Sequence, residues 1–261
     1  MRRETRRSLK RFRPLVVGVR AARKAGSGAR RAAHLASDRS LVRDYLERAS
    51  EPKLQLGCGP NRLSGWLDTD LFPAGRDVAY LDASRPFPLP TDRFAFVFSE
   101  HQIEHLEPPG ALRMLRECFR VLRRGGTLRL TTPDLRRIVA LLGDDLDETQ
   151  ARYLDYVLAI ALDELDAGSG EEALRLYTES GPGKRTYVVN RVFRAYGHRF
   201  VYDEPTLRSL LEQVGFAEIA RREVGESEHA ALRGLERHAD VAGDAAMNRF
   251  ETLVLEATKA G

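Results

Sequence analysis

Two glycines one residue apart follow a short apolar run in Leu54-Gln55-Leu56-Gly57-Cys58-Gly59-Pro60-Asn61. Glycine enters backbone regions closed to other residues, and its missing Cβ lets a ligand lie against the main chain, so such a turn after a strand suits a bound small molecule. A dinucleotide turn would carry a third glycine at position 62, where Arg62 stands; no Gly-Lys-Ser/Thr follows to cradle a phosphate. The acids downstream narrow the choice. Asp70 ends a second apolar run thirteen residues after Gly57, where a carboxylate can accept both hydroxyl protons of a ribose. Asp82 follows a third run, where it can accept from an adenine amino group, and Ser99-Glu100-His101 end a fourth. Three successive strand ends thus put polar groups on the edge where open α/β sheets bind ligands.

Proton transfer needs a group that titrates near neutrality, and histidine is the natural one. Of six histidines, His101, His105 and His198 are the candidates; His34 lies in the N-terminal region, and His229 and His238 in a late polar stretch. His101-Gln102-Ile103-Glu104-His105 sets three potential ligands at i, i+3 and i+4, hence on one face of a helix. A divalent metal is one reading of that spacing, of a borderline kind rather than Mg²⁺. Hydrogen-bonded support of a loop is the other. A zinc-peptidase helix is the poorest reading, because Pro108-Pro109 cut it short. In Tyr196-Gly197-His198-Arg199-Phe200-Val201-Tyr202-Asp203, His198 is a candidate general base and Tyr202 a candidate acceptor-orienting group; Tyr202 as core and Asp203 as a helix cap is the competing reading.

These side chains require a scaffold that brings strand ends together. From residue 53, short apolar runs alternate with helical periodicity, the signature of repeated β-α units. Strands are predicted at Lys53–Leu56, Trp66–Asp70, Val78–Leu81, Phe94–Phe98 and Thr127–Thr131. A helix with Leu112, Leu115, Phe119 and Leu122 on one face precedes the last of these and is stopped by Gly125-Gly126. After Pro133 a helical insertion or lid spans 134–200. Asp203 then caps a helix over Glu204–Val214, with Pro205 in its first turn and Gly215 closing it. Ala217–Val224 and Thr252–Ala257 complete the sheet as a hairpin-like pair. The expected class is α/β, a doubly wound, mostly parallel seven-stranded sheet of Rossmann-like kind with a helical insertion after the fifth strand. Residues 1–50 form a basic arm, partly disordered or helical, and 51–261 the catalytic domain.

The net charge of +4 is unevenly spread. The first 31 residues carry twelve Lys or Arg against Glu4 alone, a charge of +11, and the remaining 230 carry −7. Such an arm suits solvent, an anionic membrane face or a protein partner, with nucleic acid the least favoured. In the insertion, residues 143–180 hold eleven acids and two arginines, whereas 181–200 hold Lys184, Arg185, Arg191, Arg194 and Arg199 with no acid. That run either meets an anionic acceptor or pairs with the acidic helices. No stretch approaches the roughly 20 apolar residues of a membrane span, and no secretory signal is recognisable, so a cytoplasmic protein is expected, with a peripheral membrane contact through the arm as an option. Cys58 and Cys118 lie in no metal-ligand spacing, and no disulfide is expected.

The segments LQLGCGPNRLSGWLDTD, DASRPFPLPTDRFAFVFSEHQIEHL and LRECFRVLRRGGTLRLTTPDL, about a third of the chain, resemble class I S-adenosylmethionine-dependent methyltransferases of the type-11 group, particularly a bacterial branch associated with glycan and natural-product assembly. The resemblance implies that Gly57, Cys58, Gly59 and Pro60 form the cofactor turn and that Asp70 with Leu71 holds the ribose. It further implies that Asp82 and Ala83 meet the adenine, while Ser99, Glu100 and His101 lie beside the methionine portion. Two departures stand out: the link between the first two strands is too short for a full helix, and Arg124 replaces a proline common before Gly125-Gly126. His101-x-x-Glu104-His105 is similar to the Glu-x-x-Glu-His segment at which ubiquinone-biosynthesis and small-RNA methyltransferases bind a divalent metal, with His in place of the first Glu. The implied activity is methyl transfer (EC 2.1.1.-) from S-adenosyl-L-methionine to a hydroxyl of a sugar, glycan or other small metabolite, the acceptor being anionic if the basic run meets it. RNA methylation and a non-catalytic, cofactor-binding or interaction role are the alternatives.

Overall fold

The computed structural model describes residues 27–164, 169–238 and 243–261; the basic segment 1–26 lies outside them. Seven strands form one sheet in the order β3-β2-β1-β4-β5-β7-β6. They are β1 Lys53–Leu56, β2 Leu67–Asp70, β3 Ala79–Tyr80, β4 Phe94–Glu100, β5 Leu122–Pro133, β6 Phe216–Arg222 and β7 Thr252–Lys259. The first five run parallel, and β7 lies antiparallel to both β5 and β6. The expected seven-stranded, mostly parallel sheet with its terminal hairpin-like pair is therefore present. β1 and most of β5 are buried on both faces, as central strands of such a sheet are.

One face carries α1 (Ser27–Arg48), α2 (Pro108–Val121) and α7 (Glu204–Val214) over the main core of Leu54, Leu56, Val97, Leu128, Leu130 and Leu255. α1 is fixed by Leu41, Val42, Tyr45 and Leu46, and the Tyr45 hydroxyl donates to the Lys53 carbonyl at 2.9 Å. α2 buries Ala111, Met114, Leu115, Cys118 and Val121, a stripe one residue round from the predicted face. It ends at Val121, short of Gly125-Gly126, because Leu122 already pairs with Phe94 as the first residue of β5. α7 has the predicted bounds: the Asp203 carboxylate accepts from Thr206 N, and Gly215 closes the helix at φ 112°. The opposite face is covered by the β1–β2 and β6–β7 connections, the latter with a 3₁₀ turn at Ala230–Leu232. Leu63, Trp66, Leu232 and Leu235 pack on Phe96 and Phe98. Arg129, wholly buried on β5, binds Glu236 and Glu256 at 2.6 and 2.7 Å and the Glu226 carbonyl at 2.7 Å, which pins the β6–β7 connection to the sheet.

The insertion follows β5 as α3 (Leu135–Ala140), α4 (Glu148–Glu164), α5 (Ser169–Thr178) and α6 (Gly181–Arg194). With α8 (Ala245–Glu251) it builds a second core from Ile138, Leu141, Tyr153, Val157, Val188, Val192 and Met247. Because β7 is antiparallel, it starts at the carboxyl edge of β5, and α8 delivers Glu251 and Thr252 to the same edge as Glu100 and His101. The basic run of α6 faces the acidic part of the insertion: Lys184 pairs with Asp155, Arg185 with Asp144 at 2.8 Å, and Arg191 with Glu164 at 2.6 Å. Of the two readings of that run, pairing within the insertion accounts for these three residues, and they are not free for an anionic acceptor. Among the described residues no helix is long and apolar enough to cross a membrane, and Cys58 and Cys118 are buried free thiols.

Candidate active site

At the carboxyl edge of β1 the chain turns through Gly57 (φ 63°) and Gly59 (φ 52°), both in the left-handed region that favours glycine. A Cβ on Gly57 would stand 3.0 Å from the Gln102 side chain, whereas one on Gly59 would meet nothing within 4 Å, so Gly59 borders open space. Asp70, at the end of β2, holds this turn. One carboxylate oxygen accepts from Gly59 N at 2.9 Å and the other from Phe72 N at 2.7 Å. Each oxygen keeps a lone pair for a further donor. Leu71 and Phe72 beside it are 37% and 43% exposed, apolar surface at the rim of the turn. Asp82 accepts from Ser84 N and Oγ at 3.0 and 2.6 Å and pairs with Arg85 at 3.0 Å, while Ala83 is buried. Cys58 donates its N–H to the Thr69 carbonyl at 3.0 Å, and burial pushes its thiol up to about 12. The short link noted between the first two strands is the coil 57–66, which takes the place of a helix.

The end of β4 leads into a second polar region. Ser99 is buried and donates to the Gln102 side chain at 3.1 Å, so the Gly57 turn and the 99–105 segment touch through Gln102. Both Glu100 oxygens accept from the backbone N–H of Arg237, and one also from that of His238 at 2.8 Å. Burial raises the Glu100 pKa. His101 takes a left-handed backbone, φ 46°, and both its ring nitrogens have neighbours: Nδ1 lies 3.2 Å from Glu104 Oε1, and Nε2 3.0 Å from Thr252 Oγ1. Its ring stacks on His238 with centroids 4.1 Å apart. Burial works to lower the His101 pKa, but the Glu104 carboxylate outweighs it and the net shift is upward.

Ile103–His105 form a single 3₁₀ turn, not a full helix, in which Glu104 is wholly buried. Its Oε2 accepts from Thr132 Oγ1 at 3.1 Å. Burial would raise its pKa, yet His101, His105 and His198 together hold it at about 2. The Glu104 carbonyl accepts from Arg199 N at 2.7 Å and Phe200 N at 3.2 Å, so the loop bearing His198 is tied to the turn bearing Glu104 and His105. His105 and His198 meet edge-on, 5.0 Å between ring centroids. His198 Nδ1 lies 2.6 Å from the Val192 carbonyl; an N–H there leaves the Nε2 lone pair free, and burial lowers the His198 pKa so that the ring is neutral near pH 7. Tyr196, at φ 58°, holds its ring over Arg191 at 5.2 Å and beside His198.

Three of the four proposed catalytic residues, His101, His105 and His198, are thus gathered around Glu104, although His198 lies 93 positions from His105 in sequence. Tyr202 joins the main core instead, 1% exposed, with a wholly buried hydroxyl that has no hydrogen-bond partner. His238 and Glu251, both outside the predicted site, lie beside it: Glu251 is half-buried, accepts from the Tyr153 hydroxyl and lies 3.7 Å from His238. The polar stretch around His238 hid it, and only the antiparallel course of β7 brings Glu251 to this edge. A groove of about 340 Å³ beside α1, lined in part by Arg39, Arg43 and Arg93, lies near the start of β4, away from this region.

Among solved structures the chain is similar to phosphoethanolamine N-methyltransferase 2 of Haemonchus contortus, in complex with S-adenosyl-L-methionine, at 13% identity and a TM-score of 0.40 over 84% of this chain and 52% of that one. It thus spans about half the length of that protein. It is also similar to a SAM-dependent methyltransferase of Archaeoglobus fulgidus (16% identity, 86% and 93% covered, TM-score 0.42). A third similar structure is a possible histamine N-methyltransferase of Thermotoga maritima (16%, 85% and 91%, 0.40). No curated protein sequence matches the chain significantly. Residues 54–130, from β1 into β5, match a family model described as a methyltransferase domain, and this match supports an S-adenosylmethionine-dependent methyltransferase.

Proposed function

We propose that this protein transfers the methyl group of S-adenosyl-L-methionine to a hydroxyl of a sugar, glycan or other small metabolite. The observation that carries the reading is the Asp70–Gly59 contact: a strand-end carboxylate fixes a left-handed glycine turn beside open space and keeps lone pairs for a ribose. In this account Gly57, Cys58, Gly59 and Pro60 wrap the cofactor, Leu71 covers it, and Asp82 with Ala83 holds its adenine end. Ser99 and Glu100 line the methionine side.

Methyl transfer is an in-line displacement. The acceptor oxygen forms the new O–C bond, the C–S bond breaks with its electron pair left on sulfur, and the hydroxyl proton must depart. The cluster of Glu104, His105 and His198 lies next to the segment that touches the cofactor turn, and the free Nε2 of neutral His198 can take that proton. His101, engaged by Glu104 and Thr252, positions the carboxylate rather than acting as the base. The hydroxyl preference rests on this cluster, and the glycan class on the sequence resemblance.

The test is incubation of the protein with methyl-labelled cofactor and a panel of hydroxylated acceptors, sugars and glycosides first. Label should pass to an acceptor, and His198→Ala should cut kcat by about 10²–10⁴-fold while leaving cofactor affinity unchanged. Transfer only to amines or carbon acids, or full activity in His198→Ala, would overturn the hydroxyl reading.

A further inference from the structure

We infer that Glu104, His105 and His198 together form a binding site for one borderline divalent cation of the Zn²⁺ or Co²⁺ kind. One carboxylate oxygen and one ring nitrogen from each histidine all lie within 4.8 Å of one another. Three ligands about 2.1 Å from a common ion stand at most about 3.6 Å from one another, so the three groups need to close by about 1 Å. Two imidazoles and one carboxylate are a donor set for borderline first-row ions, and leave coordination positions open.

The surroundings match what metal ligands need. His198 has Nδ1 directed at the Val192 carbonyl, which fixes the tautomer and turns Nε2 outward as a ligand atom. Thr132 donates to Glu104 Oε2 and orients the carboxylate. Glu104 Oε1 is buried with His101 Nδ1, 3.2 Å away, as its ion-pair partner, and because that contact falls outside full hydrogen-bond geometry the carboxylate keeps a lone pair for a cation. The two backbone bonds from Arg199 and Phe200 to the Glu104 carbonyl hold the turn and the distant loop in register, as a shared ion requires.

The structure also revises which residues take part. The spacing His101-x-x-Glu104-His105 suggested His101 as a ligand, but both His101 nitrogens are engaged, by Glu104 and Thr252. A second cluster, His101, His238 and Glu251, has ligand atoms equally close. Its two imidazoles are stacked face to face, 12° from parallel, a poor arrangement for aiming two lone pairs at one ion, and its carboxylate already accepts from Tyr153. The inference rests on the methyl-transfer reading and revises its base: with an ion bound, His198 Nε2 would be a ligand, and the ion would acidify the acceptor hydroxyl in place of the free imidazole, its proton passing to solvent.

The test uses the full chain, stripped with chelator and titrated with Zn²⁺, Co²⁺ and Mg²⁺ by calorimetry, with the visible spectrum of the Co²⁺ form as a second readout. One equivalent of Zn²⁺ or Co²⁺ should bind, Mg²⁺ at least about 100-fold more weakly. Thr132→Val should weaken binding about 10–100-fold, and His198→Ala should abolish it with a loss of the Co²⁺ spectrum; His238→Ala should leave both unchanged, and circular dichroism verifies that each variant is folded. No Zn²⁺ or Co²⁺ binding, Mg²⁺ bound as tightly, or binding that survives His198→Ala but not His238→Ala would overturn the assignment. Titration of the same samples with S-adenosylmethionine separates the two ideas: cofactor binding without metal binding overturns this inference alone, and absence of cofactor binding overturns the methyltransferase reading.

Discussion

Tyr202 and His198 lie four residues apart and have opposite fates. Both were candidates for acceptor contact, because each carries a polar group just ahead of α7. The structure turns Tyr202 into the main core, where its hydroxyl is buried without a partner and burial pushes the phenol up to about 12. Removing an unsatisfied buried hydroxyl recovers its desolvation cost, about 1–3 kcal/mol, so Tyr202→Phe should raise the thermal midpoint and leave methyl transfer intact. A large fall in kcat with an unchanged midpoint would return Tyr202 to the acceptor site. The residue-scale legibility of the sequence follows from this contrast. Gly57, Gly59 and Asp70 could be read directly, since backbone need and strand-end position are encoded locally. The grouping of His198 with Glu104, and of Glu251 with His238, could not, because it depends on where an insertion and an antiparallel strand return in space.

At the scale of elements, β2 carries an electrostatic load next to the Gly57–Gly59 turn. Asp68 is nearly buried, and burial raises its carboxyl to about 6 against the Leu63 N–H and Arg62, which favour the anion. The folded-state pKa lies above the unfolded value of 3.8, so the folded protein binds more protons between about pH 4 and 6. The charged form therefore costs stability above about pH 6, and that cost is relieved as the pH falls through 6. Asp68→Asn should melt at a higher temperature than the parent at pH 7, with the difference shrinking toward pH 4, as calorimetric melts across that range would register. A lower melting temperature at pH 7 would mean that the Asp68 anion is stabilising. The elements themselves were largely legible. β1 was found residue for residue, and α7 with its Asp203 cap and Gly215 stop was exact in both bounds, since capping chemistry is local. β5 runs over Leu122–Pro133, longer than the sequence suggests, because Leu122 pairs with Phe94 ahead of an irregularity in the register, where the exposed, polar Arg123-Arg124-Gly125 have no partner on β4.

For the whole molecule, the face covered by these connections is the feature that sequence periodicity had no means of revealing. Where helices would pack, the β6–β7 connection is held by an ionic knot centred on Arg129, whose partners Glu236 and Glu256 come from far along the chain. Arg129→Ala would leave the buried Glu236 carboxylate without its cation and Glu256 with Arg222 alone, at a cost of about 3–5 kcal/mol, and should lower the thermal midpoint by about 10 °C or more. Since Glu100 holds the same connection through Arg237 and His238, the variant should also loosen the 236–238 segment, read as faster amide exchange there. A midpoint within a degree or two of the parent would mean that the apolar contacts of Leu232 and Leu235 suffice. The overall topology was foreseeable because alternating strand and helix signals leave few arrangements for a parallel sheet. The charge division inside the insertion was visible too, but which surface answered it was decided by α4 and α6 packing together.

The central claim is that the Gly57–Gly59 turn and Asp70 form a nucleoside-bearing cofactor site, and calorimetric titration of the full chain with S-adenosylmethionine and S-adenosylhomocysteine tests it most directly. One site is expected on the parent protein, near micromolar affinity or about −8 kcal/mol, weakened about 10–100-fold in Asp70→Ala as charge-assisted hydrogen bonds to the ribose are lost. Heat-silent titrations with both ligands on folded protein, or an Asp70→Ala variant with undiminished affinity, would contradict it.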